Sequence, residues 1–479
     1  MKYNVHEHCL LCIRLVWRLT LYQKREVNAL FICKLPKIKV IKEKIGSRFD
    51  TTKICSRGDF MDSIFFHIDV NSAFLSWTAI DLKEQAQQQG TLDTYVDLRK
   101  IPSIIGGDSA TRHGIVLAKS DLAKKHGINT AEPIVSAIKK CPNLTIAPPN
   151  HSSYSKHSHQ LMNYLCSYCP LIEQVSIDEC YMNFTPIRND FSSPIEAATI
   201  IKNGVRDTFG FTVNVGISNR KVLAKMASDF KKPDLVHTLF AEEIETKMWP
   251  LPISSLLMCG RSSQETLKKL GITTIGELAR CDKTLLQYHL KSHGLLLWEY
   301  ANGIDSSTVC TVPAPAKGIG NSTTMPKDVT SIEEMKPVIL RLSESVSKRL
   351  RSIQSNAGTI TVEIKYANFH SCSHQMALDT PDNTTNTIYE SSMELLKELW
   401  DGTPVRLLGI RATKLKEESA PVQLDLFSYQ APKPQTKRNK KLDLAIDSIR
   451  QKYGSEAIVR GSLLKSPSEN KVDKSTSSP

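Results

Sequence analysis

The chain has 479 residues, enough for three or four small domains, and its 41% apolar and 23% charged content is that of an ordinary globular protein. Lys and Arg number 62 against 49 Asp and Glu, a formal charge of +13. That surplus suits a polyanionic partner, nucleic acid first, or a merely basic solvated surface. No run of about 18 apolar residues exists to span a membrane. The 12 cysteines include only the close pairs Cys9/Cys12 and Cys166/Cys169, and neither supplies the four ligands of a structural zinc site, so reduced thiols in a cytoplasmic protein are expected.

Residues 1–60 hold 13 Lys and Arg against 5 Asp and Glu, so +8 of the charge lies there. Their apolar stretch, Leu10–Leu21, is too charged for a signal sequence. Met61 then opens a strand-like run, Ser63–Asp69. Met61 is the expected start of translation, because Ser56–Phe60 can be encoded by a purine-rich tract resembling a ribosome-binding site. The alternative is a basic arm that grips phosphates. From Met61 to about Phe240 strands and helices alternate. Leu122–Gly127 and Ile195–Phe209 read as helices, Gln174–Phe184 and Phe211–Ile217 as strands. Residues 242–303 read as helical, with Leu267–Gly271 as a helix and its stop. Val309–Gly320 is rich in Pro and small residues and reads as a linker. Residues 321–415 hold a helix, Ser331–Ile353, and the β-type runs Thr359–Lys365 and Val405–Ala412, which suggests a compact α+β domain. After Ala420 the chain turns polar and ends in a Ser-rich tail expected to be disordered.

Three acids interrupt apolar, β-forming sequence: Asp69 at the end of one run, and Asp178 and Glu179 within Val175–Tyr181. A carboxylate gains nothing from such a setting unless it binds something. Phosphoryl transfer asks for such acids, because two divalent ions about 4 Å apart, bridged by carboxylates, both activate a hydroxyl and neutralise a triphosphate. Magnesium suits the site, taking few oxygen ligands from protein and the rest from water and phosphate. The bland reading is solvated turn acids. Adjacent strand residues point to opposite faces, so a strand carrying Asp178 and Glu179 would have to twist.

Three segments make the reading specific. Phe65–Phe74, Ser176–Glu179 and Val213–Ser218, the last followed by Lys221–Lys225 and Lys231–Asp234, resemble, in order and spacing, the three motifs of Y-family lesion-bypass DNA polymerases. The likeness covers about residues 61–465 and is nearest to the UmuC-like branch of Gram-positive bacteria and their plasmids. It implies an α+β multidomain right-hand polymerase. Residues 61–72 and 150–240 would form the palm, 73–149 small fingers, and 241–303 a helical thumb with a helix–hairpin–helix. A linker (304–316), a little finger (317–416) and a tail (417–479) would follow.

The resemblance also implies roles. Asp69 and Asp178 would bridge two Mg²⁺ ions, Glu179 would bind the ion that activates the primer 3′-hydroxyl, and the Val70 carbonyl would complete the other. Phe74 would be the steric gate against ribose, its bland reading being core packing. Lys232 would contact the triphosphate. On the fingers helix, where the family often has Tyr and Arg, stand Asp121 and Lys124. Lys124 keeps the charge but loses the bidentate fork, and Lys119 is a substitute. Lys225 is either structural or a support to the site. Gly260 would let a hairpin approach a DNA phosphate, and Lys317, Ser322, Thr323 and Thr324 would bind phosphates without reading sequence.

Gln423-Leu-Asp-Leu-Phe427 has the form of a bacterial sliding-clamp ligand, with Gln423, Leu424, Leu426 and Phe427 as anchors in a polar stretch. The expected partners are damaged primer–template DNA, a deoxynucleoside triphosphate and the clamp, for a monomer with no membrane association. The expected activity is low-fidelity translesion synthesis in DNA repair and the SOS response. The alternatives are a catalytically weak DNA- and clamp-binding accessory, which Asp121 leaves open, and a nucleotidyl cyclase. For the cyclase, Gly106-Gly-Asp108 lacks the Glu-Phe that should follow.

Overall fold

The computed structural model describes residues 63–107, 114–420 and 434–463. In chain order its first strands are β1 (Phe65–Val70), β2 (Ser103–Gly106), β3 (Val116–Lys119), β4 (Thr145–Ala147), β5 (Ile172–Gln174), β6 (Glu179–Asn183), β7 (Val213–Ser218) and β8 (Val236–Thr238). Five of them form one sheet in the order β5-β6-β1-β7-β8, with β1 antiparallel to both β6 and β7. The sequence Phe-Phe-His-Ile-Asp-Val makes β1 the central strand, because β-formers on both sides of the pleat let both faces be covered.

Phe66, Ile68 and Val70 join a core with the helices His151–Cys166 and Pro194–Phe209, through Tyr154, Leu161, Ile201 and Val205. His67 and Asp69 point the other way, towards the helix Lys221–Ser228. That helix comes so close to β7 that a Cβ on Gly216 would collide with the Ala224 carbonyl oxygen and stand 2.5 Å from the Ser228 nitrogen. Only glycine fits there. A second sheet, β3-β2-β4, has its own small core around Ile104, Val116 and Ile134.

Residues 261–301 are helical: Arg261–Lys269, Ile275–Arg280 and Lys283–Ala301, the last broken at Lys291. Gly271, at φ +78°, ends the first of them as the sequence predicts. The long strands β9 (Gly318–Val329), β10 (Ser355–Tyr366), β11 (Ser371–Asp382) and β12 (Val405–Thr413) form a sheet ordered β11-β10-β12-β9. Helices Ile332–Ser352 and Thr385–Leu399 pack on it around Met335, Ile339, Ile360, Val362 and Leu396. The predicted helix Ser331–Ile353 is thus present, with Ser331 as its cap.

Three expectations need correction. Gln174–Phe184 is not one strand but a hairpin. The Val175 and Ser176 N–H groups both reach the Glu179 carbonyl, at 3.0 and 3.2 Å, and close a turn over Val175–Asp178. Asp178 therefore stands in the turn, and strand alternation does not separate it from Glu179. The helices Ala73–Gln88 and His151–Cys166 were not anticipated, because their exposed turns are strongly polar. The polar stretch after Ala420 includes a helix, Pro434–Tyr453. Its inward face is tied to the preceding domain by Arg351, which bonds Asp447 at 2.7 Å and Asp443 at 3.2 Å. The Ser-rich end beyond residue 463 and residues 1–62 lie outside the described residues.

Candidate active site

Asp69 and Glu179 face each other directly across the β1–β6 ladder, an arrangement that puts two Cβ atoms on one face of the sheet about 4.5–5.5 Å apart. The Val70 N–H donates to the Asp178 carbonyl at 3.0 Å, which draws the hairpin turn to the end of β1. Ser176 steadies that turn, donating from its hydroxyl to the Asp178 carboxylate at 2.5 Å. Residues more than a hundred positions apart thus meet at one corner. Asp69, Val70 and Asp178 line a cleft of about 610 Å³, together with Phe74, Lys124 and Lys232. Glu179 turns from Asp69's side towards the helix Lys221–Ser228.

Two of the three acids already carry a lysine partner, Lys232 on Asp69 and Lys225 on Glu179. Burial pushes the Asp69 carboxyl above its usual range, although the Lys232 ammonium bonds to it. For Lys232 burial opposes the charge, yet Asp69 and Asp229, the latter at 2.9 Å, outweigh it and raise its pKa. The His67 ring beside Glu179, and then the Lys225 ammonium, hold the Glu179 carboxyl at about 2 against burial. His67 is itself pushed down by burial, with its Nδ1 2.8 Å from the Ser228 hydroxyl. Lys225, left open by the sequence, is an ion-pair partner of Glu179.

Phe74 is half-buried at the cleft wall. Asp121 and Lys124 both line the cleft, and Asp121 sits in the first turn of its short helix, where a carboxylate complements the backbone dipole. The Lys119 ammonium is engaged by the Ile128 carbonyl at 2.7 Å. Gly260 caps the start of the helix Arg261–Lys269. Lys317 directly precedes β9, and Ser322, Thr323 and Thr324 lie on that edge strand opposite Gly409, Leu408 and Leu407. These five residues do not line the carboxylate cleft. Residues 423–427 lie outside the described residues. Sequence reasoning missed His67, which meets Glu179; Arg99, which lines the cleft; and Tyr154, which stacks on Phe74. His67 had a signal, a polar residue inside an apolar strand; Tyr154 had none.

The impB/mucB/samB family model matches residues 68–229, and the model of that family's C-terminal domain matches residues 316–426. The DNA polymerase IV of Clostridium acetobutylicum is 44% identical over 404 residues, 84% of this chain and 99% of that protein. The chain belongs to the Y-family of DNA polymerases. Another relative of this Y-family polymerase, DNA polymerase IV 1 of Bacillus subtilis, is 34% identical over 84% of this chain and 93% of its own length. The fold agrees: a Y-family polymerase chimera, Dbh-Dpo4(243-245)-Dbh, superposes with a TM-score of 0.64 over 74% of this chain and 99% of its own, at 21% identity. The architecture is that of an α+β multidomain right-hand polymerase. The relatives named here carry the name DNA polymerase IV, within the wider family that the motifs pointed to.

The donors fit a hard cation. Asp69, Asp178, Glu179 and the Val70 carbonyl offer oxygen alone, and Asp69 is a partly buried acid whose charge a cation would stabilise. Among the described residues no three acid, His or Cys side chains are gathered closely enough to hold a metal ion by themselves. An open set of this kind suits an ion completed by substrate phosphate and water.

Proposed function

We propose that this Y-family polymerase extends a DNA primer by two-metal-ion nucleotidyl transfer, with low fidelity and opposite damaged template. The observation that carries the reading is the meeting of Asp69, Asp178 and Glu179 at one end of β1, beside a cleft walled by Phe74, Lys124 and Lys232. In this reading Asp69, Asp178, Glu179 and the Val70 carbonyl would hold two Mg²⁺ ions. When bound, such ions neutralise the triphosphate and make the primer hydroxyl more acidic.

The chain's own groups do the rest. Lys232, at the cleft wall beside Asp69, would contact a phosphate oxygen of the incoming nucleotide. Lys124 adds a second point charge in place of the family's arginine. The Phe74 ring excludes a ribose 2′-hydroxyl. Gly260 and the β9 residues Lys317, Ser322, Thr323 and Thr324 hold DNA phosphates, which lets any template sequence be accepted. Residues 61–72 and 150–240 act as palm, 73–149 as fingers, 241–303 as thumb and 317–416 as little finger. Gln423, Leu424, Leu426 and Phe427 dock on a sliding clamp, which supplies the processivity of a monomeric enzyme.

Primer extension with Mg²⁺ over undamaged and lesion-bearing templates, with and without clamp, tests the reading. Asp178→Ala should abolish nucleotide addition while primer–template binding stays at the wild-type level. Nucleotide addition by the variant at the wild-type rate would remove Asp178 from the site. Failure of the wild type itself to add nucleotides would favour the accessory reading.

A further inference from the structure

The Phe74 ring has a built support behind it. It stacks on Tyr154, ring centres 4.5 Å apart and planes 8° from parallel. His151 meets the same ring edge-on at 6.0 Å, and Trp77 lies at 6.2 Å. Tyr154 is fully buried, and its hydroxyl lies 2.8 Å from the Thr78 hydroxyl. Thr78 in turn donates to the carbonyl of Phe74 at 2.8 Å.

The direction of these bonds follows from chemistry. A threonine hydroxyl has one proton, and a backbone carbonyl only accepts. Thr78 therefore spends its proton on the Phe74 carbonyl, and Tyr154 donates to the Thr78 oxygen. The chain runs from the Phe74 backbone through Thr78 to the Tyr154 phenol, and returns by the ring stack to the Phe74 side chain. One turn further along, the same two helices are clasped again. Asp81 accepts from Ser153 at 2.5 Å and pairs with His157 at 2.8 Å.

A steric filter works only if the wall does not yield. A Phe ring turns on two torsions, and a small displacement would make room for one extra hydroxyl. We propose that Tyr154 and Thr78 are positioning residues for sugar selection: they fix the Phe74 ring against the incoming nucleotide's sugar. This rests on the reading of Phe74 as the sugar gate. Neither residue touches the nucleotide; both act through Phe74.

The test is the ratio of kcat/KM for a deoxynucleotide to that for the matching ribonucleotide, measured with Mg²⁺ and primer–template for the full chain. Phe74→Ala is the reference and should lower the ratio by about tenfold or more. Thr78→Val keeps the volume and removes the hydroxyl; Tyr154→Phe keeps the stack and removes the phenol. Each should lower the ratio about threefold to tenfold, the worth of one buried hydrogen bond. Thr78→Val should leave deoxynucleotide kcat within about twofold of wild type, which a general loss of structure would not do. Tyr154→Leu should approach the Phe74→Ala ratio. If Phe74→Ala relaxes selection while Tyr154→Leu, Tyr154→Phe and Thr78→Val keep the wild-type ratio, the brace is refuted and the gate stands. If Phe74→Ala leaves the ratio unchanged, the gate reading falls and the brace with it.

Discussion

Glu179 illustrates how a single carboxylate is kept ready at this site. It stands on the face of the sheet opposite the main core, and the Lys225 ammonium and the His67 ring share its outer oxygen. Lys225 comes from the helix that Gly216 allows to lie close against β7, so backbone packing sets the distance between acid and base. A charge-assisted hydrogen bond of this kind contributes about 1.5–3 kcal/mol. Lys225→Met keeps the stem and removes the charge, freeing Glu179 from the orientation that the ion pair fixes. Single-turnover primer extension should slow about tenfold to a hundredfold, with primer–template affinity unchanged. Extension at the wild-type rate would show that Lys225 only balances charge. The sequence made Glu179 legible through its motif. It could not show that Lys225 rather than Lys221 reaches it, since that depends on which turn of the helix faces the strand.

At the scale of the element, local signals were legible where the cause was local. Within the helical residues 261–301, Thr274 and Glu277 form a capping box: the Glu277 carboxylate accepts from the Thr273 and Thr274 N–H groups at 2.6 and 2.9 Å, while the Thr274 hydroxyl accepts from the Glu277 N–H at 3.2 Å. The backbone N–H of Thr273 first, and that of Thr274 next, hold the Glu277 carboxyl at about 2, below its usual 4.5. A depressed acid stabilises the fold above its unfolded pKa and loses that contribution as pH falls through the folded value. Glu277→Ala should therefore lower the melting temperature at neutral pH. The deficit should shrink as the pH falls from about 4.5 towards about 2. A deficit that is constant across that range, followed by circular dichroism, would mean that the carboxylate charge is irrelevant. The β1 run was legible because four of its six residues, Phe65, Phe66, Ile68 and Val70, are β-formers. The turn at Asp178 was not, because Val175, Ser176 and Ile177 read as strand. Only hydrogen bonds closing on Glu179 reveal it. Nor does the sequence show that Phe74 and Tyr154, eighty positions apart, share a stack.

At the scale of the whole molecule, the helix Pro434–Tyr453 shows why a polar sequence read as tail. A surface helix usually buries its apolar stripe. This one turns Asp443, Ile446, Asp447 and Arg450 inward and leaves Leu442, Leu444 and Ile449 exposed, so the ordinary amphipathic signal is inverted. What holds it is charge. Asp443, 2% exposed, bonds to Arg351 at 3.2 Å and Arg460 at 3.1 Å, and accepts from the Thr385 N–H at 2.8 Å. Glu344 takes Arg460 at 2.9 Å and Arg450 at 3.4 Å. Removing one partner of a buried pair destabilises by about 3–5 kcal/mol, because the other charge is left in a poor solvent. Arg351→Met strips Asp443 of one partner and Asp447 of its own. The lower end of that range applies, since Arg460 and the Thr385 N–H remain. A helix with an exposed apolar face gains little by staying, so it should detach instead of burying the charge. Hydrogen exchange across residues 434–463 should rise by about two orders of magnitude in the variant, while the sheet β9–β12 keeps its protection. Extension of a short primer without clamp should be unchanged, since Arg351 does not line the carboxylate cleft. Wild-type protection across 434–463 in Arg351→Met would mean that the Glu344 pairs alone hold the segment, and that the buried Asp443 is neutralised by Arg460 without help.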